Sequence, residues 1–221
     1  MLIIFDLDGT LINTISDLGQ ACNHALSECG FPTHPIDEYP RLVGNGVNKL
    51  IERSLPEQDR NEETVLRLRQ FFVPFYDLHN CDLTQPYDGI RDLLDELKKQ
   101  GHTLAVASNK YQSATQKIVS QLFPGIFDIV LGEREGIPRK PDPQIVYDII
   151  HRLSPALSQS PILYIGDSSV DAHTARAAAD QLPVKLVLCT WGFSSPEEMK
   201  ALQPDFLVDH PSEILPILAN E

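Results

Sequence analysis

Short apolar runs alternate with amphipathic stretches along most of this chain. The apolar runs predict buried strands at 2–5, 102–107, 127–131, 162–165, 184–188 and 206–208. Amphipathic patterns predict helices at 88–100, 144–153 and 212–219. Two more helices are predicted, one that follows Lys110 and ends near 121, and one that follows Asp171 and ends near 179. Strands and helices that alternate in this way are typical of a parallel sheet covered on both faces. The pattern therefore predicts the α/β class, with a Rossmann-like parallel sheet as its core.

The stretch from 14 to 84 interrupts this alternation, because it carries helical patterns and no strand pattern. The elements expected there are a helix over Thr14–Cys29, a loop over Phe31–Pro40, a helix after Gly46 and a helix over Glu62–His79 with a kink at Pro74. We therefore predict two domains. Residues 1–13 and 85–221 form the Rossmann-like core, and residues 14–84 form an inserted all-helical cap at the carboxyl edge of the sheet.

Composition and charge restrict the class of protein. The chain has 221 residues and a net charge of −13, which argues against a broad nucleic-acid surface and against binding to anionic membranes. No apolar run reaches the length of a membrane span, and no basic segment precedes the first apolar run, so a signal peptide is not expected. The four cysteines form no CxxC pair, which favours reduced thiols in a cytoplasmic protein.

Two carboxylates, Asp6 and Asp8, follow the first apolar run, and Gly9 allows a sharp turn after them. If the strand continues through Asp8, both side chains leave the sheet on one side, because strand side chains alternate. Such a pair is costly unless a cation or a reaction uses it, and Mg²⁺ prefers oxygen ligands. An EF-hand is excluded, because its sixth and twelfth positions would be Leu11 and Asp17. On this segment alone, an acidic turn explains the pattern equally well.

Three further polar segments also follow predicted strands. They are Ser108-Asn109, the loop Arg139–Pro143 that contains Lys140, and the segment Gly166–Asp171 that contains Asp167 and Asp171. Ligands of an open parallel sheet bind outside the carboxyl ends of its strands, so all four segments are expected to line one crevice. Taken singly, each has an ordinary explanation, such as a helix cap or a solvated lysine. Their joint occurrence at four strand ends favours a functional site.

Together these segments resemble the four motifs of the haloacid dehalogenase superfamily. The matching residues are Asp6-Leu7-Asp8-Gly9-Thr10, Ser108-Asn109, Lys140-Pro141 and Gly166-Asp167 with Asp171. The resemblance covers nearly the whole chain, and the helical insertion matches the small helical cap of that family. An Asp at the position of Asp8 is similar to the phosphatases and phosphomutases of the superfamily. The resemblance thus implies a phosphoryl-transfer enzyme with Mg²⁺ as its cofactor.

The resemblance also implies a role for each motif residue. Asp6 is expected to attack phosphorus and form an aspartyl-phosphate, with Asp8 as general acid and base. Lys140 is expected to neutralise charge on the nucleophile and the phosphoryl group. The expected Mg²⁺ ligands are Asp6, the backbone carbonyl of Asp8 and Asp167, while Asp171 orients Lys140 or a metal-bound water. The residues of the first two motifs expected to bind substrate are Thr10, Ser108 and Asn109.

Substrate choice is expected to depend on the cap, because the core contacts only the phosphoryl group. The segment Arg41–Gly46 is similar to a cap loop of the phosphoglycolate phosphatase group, and Ser108-Asn109-Lys110 is similar to its second motif. The residues expected to bind the substrate, including its carboxylate, are Arg41, Gly44, Asn45 and Lys110. The two glycines of the cap loop are equally consistent with a simple turn before a helix.

The expected function is hydrolysis of a small phosphate monoester, with 2-phosphoglycolate as the best candidate. A β-phosphoglucomutase-like reaction, a pyrophosphatase and a broad sugar or nucleotide phosphatase remain alternatives. A catalytically silent Mg²⁺-binding or partner-binding domain is a further alternative, but the presence of Asp6, Asp8 and Lys140 argues against it. The expected partner is a small phosphorylated metabolite, with no nucleic acid and no membrane, for a monomer or homodimer.

Overall fold

A computed structural model describes residues 1–219, and the chain divides into two compact units. The core unit contains Met1–Ile12 and the chain from Pro86 onward, and the helical unit contains Asn13–Gln85. The predicted helical domain was 14–84, so the observed unit is one residue longer at each end. In the described part of the chain, no helix has the length and apolar character needed to cross a membrane.

The strands and helices follow the predicted order closely. The strands are β1 (Leu2–Phe5), β2 (Ile12–Asn13), β3 (Gln85–Pro86), β4 (Thr103–Tyr111), β5 (Ile129–Glu133), β6 (Ile162–Gly166), β7 (Val184–Cys189) and β8 (Phe206–Val208). The α-helices are α1 (Ile15–Glu28), α2 (Val47–Ser54), α3 (Glu62–His79), α4 (Ile90–Lys99), α5 (Gln112–Leu122), α6 (Gln144–Leu153), α7 (Ser169–Ala179), α8 (Pro196–Ala201) and α9 (Ile214–Leu218). Short 3₁₀ helices lie at Ile36–Arg41, Glu57–Asp59, Pro155–Gln159 and Pro211–Glu213.

The structure differs from the prediction in several elements. Ile36–Arg41 is a 3₁₀ helix where a loop was expected, and its Tyr39 is buried. The second core strand, β4, continues past Ala107, so the second motif lies inside a strand rather than after it. The register between β4 and β5 shifts between Ala107 and Tyr111, so Ser108 and Asn109 lie at an irregularity of the strand. Helix α8 was not expected, although Ser195 begins it with a capping box.

The core unit contains a six-stranded parallel sheet with the order β5-β4-β1-β6-β7-β8. The predicted α/β class with a Rossmann-like sheet is therefore confirmed. Strand β1 is central, and its last residue, Phe5, is level with Val106 of β4 and Ile165 of β6. The residues that follow these three positions consequently reach the same edge of the sheet, which is where Asp6 begins the first motif.

Apolar burial on both faces of the sheet holds this edge in place. All four residues of β1 are buried. One face carries Leu2 and Ile4 with residues of α6 and α7, and on the other Phe5 contacts Phe127 edge to face at 6.2 Å between ring centroids. Each such large side chain contributes roughly 1.5–3 kcal/mol when fully buried. The strand that delivers the first motif is therefore among the most firmly packed parts of the core unit.

The helical unit is held together by helix packing and by hydrogen bonds to one buried carboxylate. Helix α1 packs against α3, where the rings of His24 and Phe75 stack at 4.4 Å between centroids. Asp17 is buried at the start of α1, and its carboxylate accepts hydrogen bonds from Leu83 N (3.0 Å), Thr84 N (2.8 Å) and Thr84 Oγ1 (2.7 Å). These bonds join the first turn of the unit to its last residues.

Candidate active site

Asp6 lies directly beyond the central strand, where its neighbours fix its position. Its backbone N–H donates to Ile165 O at 2.9 Å, and its Oδ1 accepts from Leu7 N at 2.7 Å. The chain turns at once, since Leu11 N donates back to Leu7 O at 3.0 Å. Strand β1 thus ends before Asp6, and the continuous strand through Asp8 that would place both carboxylates on one side does not form.

Lys140 connects Asp6 of the first motif to Asp171 of the fourth motif. Its ammonium lies 2.9 Å from Asp6 Oδ1 and 2.8 Å from Asp171 Oδ1, and it donates to Ala107 O at 2.8 Å. An ammonium has three N–H donors, so these contacts satisfy all of them. Burial alone would lower the pKa of Lys140, but Asp171 and Asp6 raise it above its ordinary value. The lysine is therefore a fixed positive charge between two carboxylates.

The second motif holds the backbone of the third. The side chain of Asn109 donates through Nδ2 to Lys140 O and accepts through Oδ1 from Lys140 N, both at 3.0 Å. Ser108 is buried and its Oγ accepts from Lys110 N at 3.1 Å. Because that hydroxyl is used as an acceptor, its own O–H remains a donor that can serve a ligand.

Asp167 is buried between two glycines. Its Oδ1 accepts from Thr10 Oγ1 at 3.1 Å, and its Oδ2 accepts from Phe193 N at 2.9 Å. Gly9 has φ +86°, and a Cβ built on it would lie 2.1 Å from Asp167 Oδ2. A Cβ on Gly192 would lie 2.3 Å from Asp167 Cβ. Both glycines are thus needed for the carboxylate to reach this position.

Asp171 uses both of its oxygens in contacts with the protein. Its Oδ1 accepts from Tyr164 OH at 3.3 Å in addition to Lys140, and its Oδ2 accepts from Ser168 Oγ. Tyr164 and Ser168 were not expected at the site. A sequence signal existed for Ser168, because serine is a strong N-cap residue and this one caps the start of α7. No signal separated Tyr164 from the other buried residues of its strand.

The three carboxylates form a compact group of oxygen donors. One oxygen each from Asp6, Asp167 and Asp171 lies within 4.8 Å of the others. Burial and the charge of Asp171 raise the pKa of Asp6 to about 7, although Lys140 opposes the shift. Burial, followed by the charges of Asp171 and Asp6, also raises the pKa of Asp167. An all-oxygen set whose ionised form is costly without a counter-charge fits a hard divalent cation.

Asp8 has a cationic partner beside this group. Lys110 Nζ lies 2.9 Å from Asp8 Oδ2, and the lysine side chain is only 4% exposed. The sequence pointed to Lys110 as a ligand for a substrate carboxylate, and that role stays a prediction. In the structure this ammonium binds the carboxylate of Asp8.

The remaining candidates lie in the helical unit. Arg41 is exposed at the end of its 3₁₀ helix, and Gly44 has φ +124°, a conformation that favours glycine. Asn45 Oδ1 accepts from Arg53 Nη2, and Arg53 Nη1 donates to two carbonyl oxygens of the same loop at 3.0 and 3.2 Å. Arg53 thus fixes the loop that carries the predicted substrate residues. The core candidates come together in one site, and Arg41, Gly44 and Asn45 share one loop of the other unit.

Comparisons with known proteins agree with this geometry. The family model described as haloacid dehalogenase-like hydrolase matches residues 3–182. The phosphoglycolate phosphatase of Aquifex aeolicus (strain VF5) is 30% identical over 99% of this chain and 96% of its own length. The phosphoglycolate phosphatase of Cereibacter sphaeroides is 34% identical over 86% of this chain and 85% of its own length.

A solved structure extends the likeness to three dimensions. A crystal structure of a protein from Lactobacillus delbrueckii subsp. bulgaricus has a TM-score of 0.88 and 31% identity. The match covers 96% of this chain and 95% of that one. Sequence and structure together confirm the predicted family. The chain belongs to the haloacid dehalogenase-like hydrolases and is a phosphatase-type enzyme of that family.

Proposed function

We propose that this chain is a Mg²⁺-dependent phosphatase that hydrolyses a small phosphate monoester, 2-phosphoglycolate above all, through an aspartyl-phosphate on Asp6. The observation that carries the proposal is the contact of Lys140 with Asp6 at 2.9 Å, beside the buried carboxylate of Asp167. A carboxylate that is held next to a permanent positive charge can approach a phosphate dianion without prohibitive repulsion.

In the first step, a carboxylate oxygen of Asp6 forms a bond to phosphorus while the bond from phosphorus to the ester oxygen breaks. The proton of Asp8 passes to the departing oxygen, so the alcohol leaves neutral. Lys140 stays charged throughout and offsets the charge that gathers on the phosphoryl oxygens. The hydroxyl of Ser108, which accepts from Lys110 N, donates its proton to one of those oxygens.

In the second step, a water oxygen attacks phosphorus of the aspartyl-phosphate. Asp8 takes the proton of that water, the bond from phosphorus to Asp6 breaks, and inorganic phosphate leaves. Both carboxylates return to their starting protonation states. Dividing the hydrolysis into two displacements lets one acid–base residue serve both.

The residues that would hold Mg²⁺ are the carboxylates of Asp6 and Asp167 and the backbone carbonyl of Asp8. Asp171 would orient Lys140 and would not bind the cation directly, because Lys140, Tyr164 and Ser168 already engage its oxygens. When bound, the cation supplies positive charge against the carboxylates and the phosphoryl oxygens.

The choice of 2-phosphoglycolate rests on the named activity of relatives at 30% and 34% identity and on the residues of the cap loop. Arg41 would grip the substrate carboxylate in a bidentate manner, with Asn45 beside it.

Phosphate release tests the proposal across 2-phosphoglycolate, β-glucose 1-phosphate, pyrophosphate and nucleoside monophosphates, each with Mg²⁺ and with EDTA. We expect Mg²⁺-dependent release, fastest with 2-phosphoglycolate, and its loss in Asp6→Asn. Undiminished release in that variant would contradict the nucleophile assignment. Conversion of β-glucose 1-phosphate to glucose 6-phosphate would favour the mutase. No reaction with any compound would favour a silent domain.

Arg41→Met tests the cap loop separately. We expect KM for 2-phosphoglycolate to rise about tenfold or more, since a bidentate charged contact contributes roughly 1.5–3 kcal/mol. The same variant should leave KM for p-nitrophenyl phosphate, which has no carboxylate, within about twofold. Equal changes for both compounds would remove Arg41 from substrate recognition.

A further inference from the structure

Lys110 is held in place by its backbone as well as by its side chain. Its N–H donates to Ser108 Oγ at 3.1 Å, and its carbonyl accepts from Thr115 Oγ1 at 3.0 Å. Gly132 approaches so closely that a Cβ there would lie 2.5 Å from Lys110 O. The residue therefore has little freedom to relocate its side chain by shifting the backbone.

The ammonium of Lys110 lies in a place where a charge needs a partner. The side chain is 4% exposed, and burying an unpaired ammonium is strongly unfavourable. Asp8 supplies that partner, with Nζ 2.9 Å from Oδ2, while the side chain of Asp8 is 16% exposed. The pair thus consists of a buried, fixed lysine and a carboxylate that remains accessible to solvent.

We propose that Lys110 is a positioning residue for Asp8. Because Lys110 binds Oδ2, the other oxygen, Oδ1, is the one that carries the proton to the leaving group and then accepts the proton of water. This inference rests on the proposed function, because it places Lys110 in the acid–base half of that reaction. It differs from recognition of a substrate carboxylate, which would make Lys110 important only for substrates that carry one.

The leaving group separates the two roles. An alkoxide is strongly basic and needs a proton as it departs, whereas p-nitrophenolate departs readily without one. The ratio kcat/KM reports only steps up to departure of the leaving group, so it isolates the step in which Asp8 acts as an acid. The probes are 2-phosphoglycolate, ethyl phosphate, which is an alkyl ester without a carboxylate, and p-nitrophenyl phosphate.

For Lys110→Met we expect kcat/KM to fall by about 10- to 100-fold on both alkyl esters, the penalty typical of a misplaced catalytic group. The value on p-nitrophenyl phosphate should stay within about threefold of wild type. A fall confined to 2-phosphoglycolate would identify a carboxylate ligand and overturn the proposal. An equal fall on all three probes, or none, would also overturn it.

A double-substitution cycle adds a second criterion. If Lys110 acts through Asp8, then Lys110→Met in an Asp8→Asn background should cost no further activity on ethyl phosphate. Fully additive losses would show that the two residues act independently and would overturn the proposal. Lys110→Gln, which keeps a hydrogen-bond donor, should recover part of the alkyl-ester activity and provides a less disruptive variant if the methionine variant fails to fold.

The matched control is Lys185→Met. Lys185 pairs with Asp205 at 3.2 Å on the surface of the same unit, so its replacement also removes a lysine from an ion pair. It should leave all three kcat/KM values unchanged. Wild-type protein that releases phosphate from none of the probes would refute the proposed function itself, whereas active wild type with an indiscriminate Lys110→Met refutes only the positioning role.

Discussion

Lys140 Nζ lies 2.9 Å from Asp6 Oδ1, and the lysine is buried. Removing the ammonium leaves Asp6 and Asp171 as neighbouring buried carboxylates without a counter-charge. We expect Lys140→Met to lower kcat by about 100- to 1,000-fold, as for loss of a preorganised charge contact in a transition state. Unfolding free energy at pH 8 without metal should fall by about 3–5 kcal/mol.

Phosphate release and urea unfolding measure the two effects, with Lys185→Met as the surface control. A variant with full activity would show that the contact is structural alone. A variant of unchanged stability would show that the two carboxylates are neutral or solvated without the lysine.

The raised pKa of Asp6 predicts how stability depends on pH without metal. Burial and Asp171 raise it from 3.8 to about 7, so the folded state binds this proton more tightly than the unfolded state. The resulting stabilisation is complete below about pH 4 and is lost as pH rises through 7. Urea midpoints in EDTA should therefore decline over this range, and the decline should be shallower in Asp6→Asn.

Asp180→Asn is the control for this measurement, because Asp180 is exposed at the end of α7. It should reproduce the wild-type slope. If Asp6→Asn also keeps the full slope, then Asp6 is not the group that titrates.

Protons and Mg²⁺ should compete for the same oxygens. Asp6 and Asp167 both have raised pKa values, so affinity for Mg²⁺ should increase as pH rises from about 5 to 8. Titration calorimetry gives the affinity, and Asp167→Asn should weaken it at least about tenfold. Mg²⁺ at 100 times its dissociation constant should stabilise the folded protein by about 2.7 kcal/mol. If the Mg²⁺ affinity changes neither with pH nor in Asp167→Asn, the cation binds elsewhere.

The carboxylate of Asp17 should stabilise the folded helical unit. Asp17→Ala leaves Leu83 N, Thr84 N and Thr84 Oγ1 without their acceptor, and charge-assisted bonds of this kind contribute roughly 1.5–3 kcal/mol each in favourable cases. We expect the free energy of unfolding to fall by about 3 kcal/mol, and amide exchange at residues 83 and 84 to accelerate. Asp37→Ala removes an exposed acid of the same unit and should change neither quantity.

The parts of the site that followed from the sequence are those dictated by sheet geometry. Strands of a parallel sheet deliver their carboxyl ends to one edge, so the positions of Asp6, Lys140 and Asp167 after three different strands were enough to predict that they meet. The parallel sheet itself followed from the alternation of apolar strands with helices. The family motifs then narrowed the chemistry to phosphoryl transfer.

Other features depend on tertiary placement that a linear pattern does not encode. Tyr164 has the character of an ordinary core residue of β6, and only its hydroxyl contact with Asp171 shows otherwise. The polar residues at the end of β4 suggested a loop, because propensity cannot show that the side chain of Asn109 will bind the distant backbone of Lys140. Asp17 looked like an ordinary acid in a first helical turn, since the groups that donate to it lie far along the chain.

The hydrogen bonds from residues 83 and 84 to Asp17 have a consequence for the entropy of chain closure. They close the helical unit at its own base, so the two ends of the insertion are held together by contacts inside it. An insertion with joined ends costs the host fold little more loop-closure entropy than a short surface turn. The loop-closure cost of the sheet that carries the acids therefore depends little on the length of the helical segment.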